Sequence, residues 1–337
     1  MQCIPLTTWI LFYILITCRV KAMLKQLQPE NVQFYSNPGT ASGFRRLNKA
    51  ENDAIQKVCG KSYYGPKYHP ESNFKVASAV SAVKGQFPWL VALGEKNAFC
   101  TGTLISARHI VTAAHCITEY EVTKIPCEGI NVKQMPKTIS YGGICVDEGE
   151  KCPEGNDMQK ANVRQIAVVR SFNDDSCNSG GDLAVIELEK NVDIDAYTIP
   201  VCLGYLDKND LNVTIDLGFG RINEKDKSIN LRYIITRLSI TKKAFTDGKD
   251  VLYTYSAYKN AGTSPKQLQP SICSGDSGGP LTTVTAKYPG RTFLAGTHSF
   301  TSGCGKKDGM NGSTNMLFYI DFLCALTGVC PDKPAKG

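Results

Sequence analysis

"SICSGDSGGP", Ser271–Pro280, sets a bare hydroxyl, Ser277, between an acid and two glycines and closes on a proline. A run this rich in glycine is a turn signal by itself. It is also the form in which a chain can present a serine at the tip of a shaped backbone, with the amides around it free to do chemistry. The remainder of the sequence has to decide between the two.

The chain has four histidines, His69, His109, His115 and His298. His115 stands in "IVTAAHC", Ile110–Cys116, where a β-branched run meets small residues and a cysteine. Asp182 opens "DLAVIEL", an apolar run of strand type. Taken singly, each has an ordinary explanation. A histidine after alanines is most often a packed residue, an aspartate before a strand is a turn residue, and a glycine-rich loop is a loop. Together, however, a histidine, an aspartate and a serine follow one another in that order, each at the end of an element.

These strings, with "GQFPW" at Gly85–Trp89, resemble the chymotrypsin/trypsin family of serine proteases over about Val76–Gly328. The resemblance implies an all-β fold of two antiparallel Greek-key barrels with a short C-terminal helix and a site in the cleft between the barrels. The first barrel would take about residues 76–200 and the second about 201–337. Ser277 would be the nucleophile, His115 its base and Asp182 the group that orients the base. The backbone amides of Gly275 and Ser277 would form the oxyanion hole. The chemistry needs these residue types. A serine hydroxyl is a weak nucleophile until a base takes its proton. Histidine is the side chain whose ordinary pKa suits that task near neutrality. A carboxylate holds the imidazole in the right tautomer. No cofactor and no metal is implied, and the cysteine and histidine spacings offer no zinc ligand set.

The texture of the chain agrees with the all-β expectation. From Phe87 onward, short runs such as "WLVAL" (Trp89–Leu93), "GTLIS" (Gly102–Ser106), "RQIAVVR" (Arg164–Arg170), "LAVIEL" (Leu183–Leu188), "LRYIITRLSI" (Leu231–Ile240) and "TFLAGTHSF" (Thr292–Phe300) alternate with turn signals. Met316–Gly328 is the one stretch of this part with helix-like spacing, and no internal repeat is visible.

The N-terminus sets the compartment. Ile4–Thr17 is apolar and uncharged, and Val20-Lys21-Ala22 offers a cleavage site, so residues 1–22 read as a secretory signal. The run is shorter than the roughly 20 residues of a membrane span. Residues 23–75 read as a polar, basic leader outside the core, with a short helix over Asn48–Val58. Most of the formal charge of +7 resides in residues 1–75, with 10 Lys/Arg against 4 Asp/Glu, since residues 76–337 are close to neutral. No basic stripe with interleaved aromatics points to nucleic acid. Asn212 and Asn311 head glycosylation sequons.

Of 14 cysteines, Cys3 and Cys18 leave with the signal, and an even number remains for disulfides. The family resemblance implies Cys100–Cys116 beside the histidine and Cys273–Cys304 beside the nucleophile loop. Cys324 and Cys330 are neighbours and are expected to pair. Cys59–Cys202 would tether the leader. Cys127, Cys145, Cys152 and Cys177 allow three pairings that the sequence does not separate.

The resemblance also implies a zymogen. Counting back from "GQFPW" places the new N-terminus at Val76, after Lys75, and its ammonium would meet Asp276. "VASA" replaces the glycine-containing start usual in the family. The residue six before the nucleophile, Ser271, would lie at the base of the specificity pocket, with Ser299, Phe300 and Thr301 along its wall. Without a carboxylate at Ser271, a basic P1 side chain would be buried unpaired, which is costly. An apolar or aromatic P1 residue is expected instead. His298 reads as a packing residue. Protein or peptide substrates, a trypsin-like activator and protein inhibitors are the implied partners, outside the cell and off the membrane. The competing reading is a catalytically inactive homologue serving as a secreted binding or regulatory protein.

Overall fold

A computed structural model describes residues 32–36, 43–62, 80–94, 100–118, 136–146, 152–169, 172, 181–221, 230–238, 250–256, 271–302, 304 and 309–332. Lys75, Val76, Cys127 and Cys177 lie outside the described residues, and so does the signal segment. Among the described residues, no helix is long and apolar enough to cross a membrane.

Six strands form the first barrel: β3 (Leu90–Leu93), β4 (Cys100–Leu104), β5 (His109–Thr112), β6 (Thr138–Tyr141), β7 (Gln159–Val169) and β8 (Ala184–Leu188). They run antiparallel in the order β7-β6-β3-β4-β5-β8, and β7 pairs with β8 to close the ring. Six more form the second: β9 (Thr214–Gly218), β10 (Arg232–Leu238), β11 (Val251–Ser256), β12 (Pro280–Val284), β13 (Thr292–Thr301) and β14 (Met310–Asn315). Their order is β11-β14-β13-β12-β9-β10, closed by β10 on β11. Counted from its own first strand, each barrel has the same circular order, with the sixth strand beside the third. The sequence shows no repeat, yet the two halves are built alike.

Burial explains which strands were legible. β3 and β8 are buried along their whole length and read as apolar runs, whereas β9, equally buried, carries Thr214 and Asp216 and has no such run. β7 is longer than its apolar stretch because Gln159–Asn162 is largely exposed and polar. The C-terminal spacing resolves into a 3₁₀ turn, Met316–Phe318, and helix α2, Ile320–Thr327. Gly328 ends that helix at φ 76°, and a Cβ there would fall 2.4 Å from the Leu47 carbonyl oxygen. Only glycine meets both demands.

The leader departs from the sequence expectation. Helix α1, Lys49–Val58, begins with a capping box in which Asn48 and Glu51 satisfy each other's backbone N–H. Leu47, Ile55 and Cys59 are buried in the main core, so this segment belongs to the core. Strand β1, Val32–Ser36, adds to the edge of β7. The Leu47 amide donates to the Thr327 carbonyl at 2.8 Å, and Gly60 exchanges backbone hydrogen bonds with Pro200 and Thr292. Beyond Lys75, strand β2 (Val80–Ser81) pairs with β10, so the chain enters the second barrel's sheet before it builds the first barrel.

The glycan expectation at Asn311 is corrected. Asn311 is 1% exposed within β14, and its Oδ1 accepts from Thr301 Oγ1 at 3.1 Å. A side chain closed off in this way leaves no room for a sugar. Asn212 is exposed just after a 3₁₀ turn.

Candidate active site

His115 lies in the 3₁₀ turn Ala114–Cys116 that ends β5, and Asp182 lies just before β8. β5 and β8 pair directly, with Thr112 opposite Ala184, so the sheet register delivers the two side chains to one end of the barrel. His115 Nδ1 stands 2.8 Å from Asp182 Oδ2, and the His115 backbone N–H donates to Asp182 Oδ1 at 3.0 Å. The carboxylate also accepts from the Ser299 hydroxyl, and Thr314 Oγ1 donates to the Asp182 carbonyl at 2.9 Å. Burial alone would raise the Asp182 pKa, but His115 and these hydrogen bonds outweigh it and hold the carboxyl below its ordinary value.

The Ser277 loop is pinned across the barrels by Thr101 of β4. The Thr101 N–H donates to the Ser277 carbonyl at 2.7 Å, and Thr101 Oγ1 donates to the Gly275 carbonyl at 2.9 Å. Phe219 N–H in turn donates to Thr101 Oγ1 at 3.2 Å. Gly278 adopts φ 76°, and a Cβ there would sit 2.1 Å from Thr112 Oγ1 and 3.0 Å from the Ala113 nitrogen. The residue after Ser277 therefore packs on the strand that runs into His115. Gly275 has φ 100°, a conformation open to glycine, and this lets the loop turn ahead of Ser277.

Disulfides brace both sides. Cys100–Cys116 joins β4 to the His115 turn, and Cys273–Cys304 anchors the Ser277 loop. Cys324–Cys330 closes the end of α2, and Cys59–Cys202 fastens the leader. Of the pairings the sequence left open, Cys145–Cys152 is formed. Cys100, His115 and Cys116 lie close enough to hold a metal, but the two sulfurs are spent on each other and offer no thiolate.

Asp276 accepts from the backbone N–H of Cys273 and of Gly220, each at 2.8 Å. Desolvation pushes its pKa up to about 6 against the effect of these bonds and of Arg232. Of the wall residues, Phe300 is exposed, with its ring over Gly312 and 6.1 Å from that of Tyr253. Ser271 is half-buried ahead of buried Ile272 and Cys273.

A family model described as Trypsin matches residues 77–323. The chain belongs to the trypsin family. This trypsin-family chain is 27% identical over 252 residues to coagulation factor IX of Oryctolagus cuniculus, covering 74% of this chain and 83% of the relative. It is 26% identical over 253 residues to coagulation factor IX of Cavia porcellus, covering 74% and 80%. To mannan-binding lectin serine protease 1 of Homo sapiens it is 25% identical over 280 residues, covering 81% of this chain and 38% of that one.

The trypsin-family site also contains groups that the sequence did not advertise. Thr101 clamps the loop, Thr314 holds Asp182, and Asp250 Oδ2 accepts from the Gly181 N–H at 2.9 Å and from the Tyr319 hydroxyl. The one available signal for Thr101 was its place after Cys100. Asp250 and Thr314 have no local string around them.

Proposed function

We propose that this chain is a secreted serine endopeptidase that cleaves peptide bonds through Ser277, His115 and Asp182. The observation that carries the reading is the 2.8 Å contact between His115 Nδ1 and Asp182 Oδ2, beside a Ser277 loop packed on the same strand end. With Nδ1 turned to Asp182, Nε2 is the nitrogen that would take the Ser277 proton as Oγ attacks the scissile carbonyl. The same nitrogen returns that proton to the leaving amine, and water then hydrolyses the acyl-enzyme. The Gly275 and Ser277 amides would stabilise the oxyanion, a donor of this kind contributing about 2.7–4 kcal/mol.

Activation by a trypsin-like protease would cut Lys75–Val76 and bring an ammonium to Asp276. A desolvated carboxyl held at about 6 gains most from such a cation. The cut leader would stay attached through Cys59–Cys202. Ser271 supplies no carboxylate for a basic P1 residue, and the Thr301–Asn311 bond sets two side chains side by side along the proposed pocket wall. An apolar P1 side chain follows, and a tight wall favours a small one. Fluorophosphonate labelling of Ser277 after cleavage at Lys75 tests the reading. A correctly cut, folded protein that takes no label would sink it.

A further inference from the structure

Inside the second barrel, away from His115, lies a pair of titratable side chains that the proposed reaction does not use. His298 of β13 and Asp216 of β9 are each 1% exposed. His298 Nδ1 stands 3.2 Å from Asp216 Oδ1 and 3.2 Å from Ser313 Oγ of β14. Asp216 Oδ2 accepts from the Thr236 hydroxyl of β10. Asp216 Oδ1 and His298 Nε2 make no hydrogen bond among the described residues. A barrel interior that takes in a carboxyl and an imidazole this way must keep their joint charge near zero, because an unpaired buried charge is strongly disfavoured.

The backbone of His298 shows what the pair touches. Its N–H donates to the Gly279 carbonyl at 2.8 Å, and its carbonyl accepts from the Gly278 N–H at 2.9 Å. Both partners directly follow Ser277. The next residue, Ser299, donates its hydroxyl to Asp182. One dipeptide of β13 therefore holds the nucleophile loop with one residue and the proposed orienting carboxylate with the other. The His298 ring anchors that dipeptide to β9 and β14.

We propose that His298 and Asp216 form one buried unit that carries a single proton and no net charge, and that this pair positions the nucleophile loop and Asp182 through β13. The proposal rests on the peptidase reading above. Neither residue touches substrate, so both are positioning residues.

The charge environment gives the pair a direction of response. Asp216 and Gly218 point to the same face of β9, and a Cβ on Gly218 would fall 2.1 Å from Asp276 Oδ1. Two residues along a strand span about 7 Å, and the Asp276 carboxylate acts on Asp216 through space. The charged groups acting on the cluster are Asp276 from the loop and, through Asp276, Arg232 from β10. Thr236 and Ser313 face it with hydroxyls. Burial, and then the nearby Asp276, raise Asp216 to about 7, and burial lowers His298 to about 3. Both shifts favour a neutral pair. A carboxyl with a raised pKa strains the fold as pH rises toward that value, so the pair's proton is lost on the alkaline side. The pair then carries an uncompensated negative charge inside the barrel, and the loop loosens.

The test is the rate at which a fluorophosphonate labels the protein cut at Lys75, measured from pH 5 to pH 9. Two variants are compared with the wild type. Asp216→Asn cannot ionise but keeps the shape. His298→Val with Asp216→Val replaces the pair by apolar side chains that suit a barrel interior, and thermal melting checks its fold. The wild-type rate should fall above about pH 7. Asp216→Asn should abolish the fall. The double variant should also abolish it and label about tenfold more slowly at its optimum, well short of the roughly hundredfold loss from a 1 Å misplacement. Wild-type rate and pH profile in Asp216→Asn would overturn the proposal alone, whether or not the double variant folds. A cut wild type that takes no label at any pH overturns the peptidase reading, and the proposal falls with it.

Discussion

Replacing Arg45 by alanine should loosen the leader from the first barrel by an amount the structure lets one work out. Glu187 of β8 is fully buried, and its carboxylate accepts from Arg45 Nε at 2.5 Å, Arg164 Nη1 at 2.8 Å and Gln165 Nε2 at 2.6 Å. Arg45 also donates to the Leu188 and Glu189 carbonyls. Removing one partner of a buried ion pair costs about 3–5 kcal/mol. Here Arg164 and Gln165 remain, and the Arg45 side chain is 43% exposed, so solvent already screens part of the interaction. About 2 kcal/mol is the expected loss, within the range of a single hydrogen bond to a charged group. At about 2–4 °C per kcal/mol for a domain of this size, Arg45→Ala should lower Tm by about 4–8 °C at pH 7. The sign in acid follows from Glu187. Burial would raise its pKa, but Arg45, Gln165 and Arg164 more than offset that and lower it. A lowered carboxylate contributes stability above its ordinary value of about 4.3, and the contribution is lost as pH falls below that. The gap between wild type and variant, followed by calorimetry, should therefore close toward pH 3. A variant within 1 °C of wild type at pH 7, or a gap that stays constant into acid, would refute the reasoning.

Asp182→Asn should leave the fold intact yet cut the fluorophosphonate labelling rate by about 10²–10⁴-fold, the range of a working general base, and an unchanged rate would show that His115 is not oriented by Asp182. After cleavage at Lys75, a non-reducing gel should keep the leader with the large fragment. Gel filtration of Cys59→Ser with Cys202→Ser should still show them together, because Arg291 Nη1 donates to the Gln56 carbonyl at 2.5 Å and Asn52 bonds Cys330 in both directions. Release of the leader from the double variant at neutral pH would contradict the packing of α1. Thr301→Gly with Asn311→Gly should widen the proposed pocket and raise cleavage after Phe relative to Ala by about tenfold, the low end of what added apolar contact contributes to discrimination. A P1 profile that does not move would place the pocket wall elsewhere.

How much was legible depended on how local each constraint is. The turn at Ala114–Cys116, the Gly275–Gly278 loop and the strand after Asp182 each carry their geometry in a few adjacent residues, so their strings could be read. Helix α1 was readable over Asn48–Val58 because its capping box and amphipathic spacing are local too. Its burial was not. The leader looked solvent-facing because its few apolar residues, Leu47, Ile55 and Cys59, are spaced singly among polar ones. They reach the core through partners far away along the chain, among them Thr327 of α2, Pro200, Thr292 and the disulfide partner Cys202.

The sequence by itself determined the family and the two-barrel class, and it singled out His115, Asp182 and Ser277 as candidates, since short-range backbone demands leave their mark residue by residue. Tertiary structure alone decided that Thr101 clamps the Ser277 loop, that Asn311 is buried against Thr301, and that His298 meets Asp216. Each of these depends on strand register and barrel closure, which bring together residues with no common local pattern. A buried polar pair 82 positions apart has no signature until β9 and β13 face each other across the same barrel.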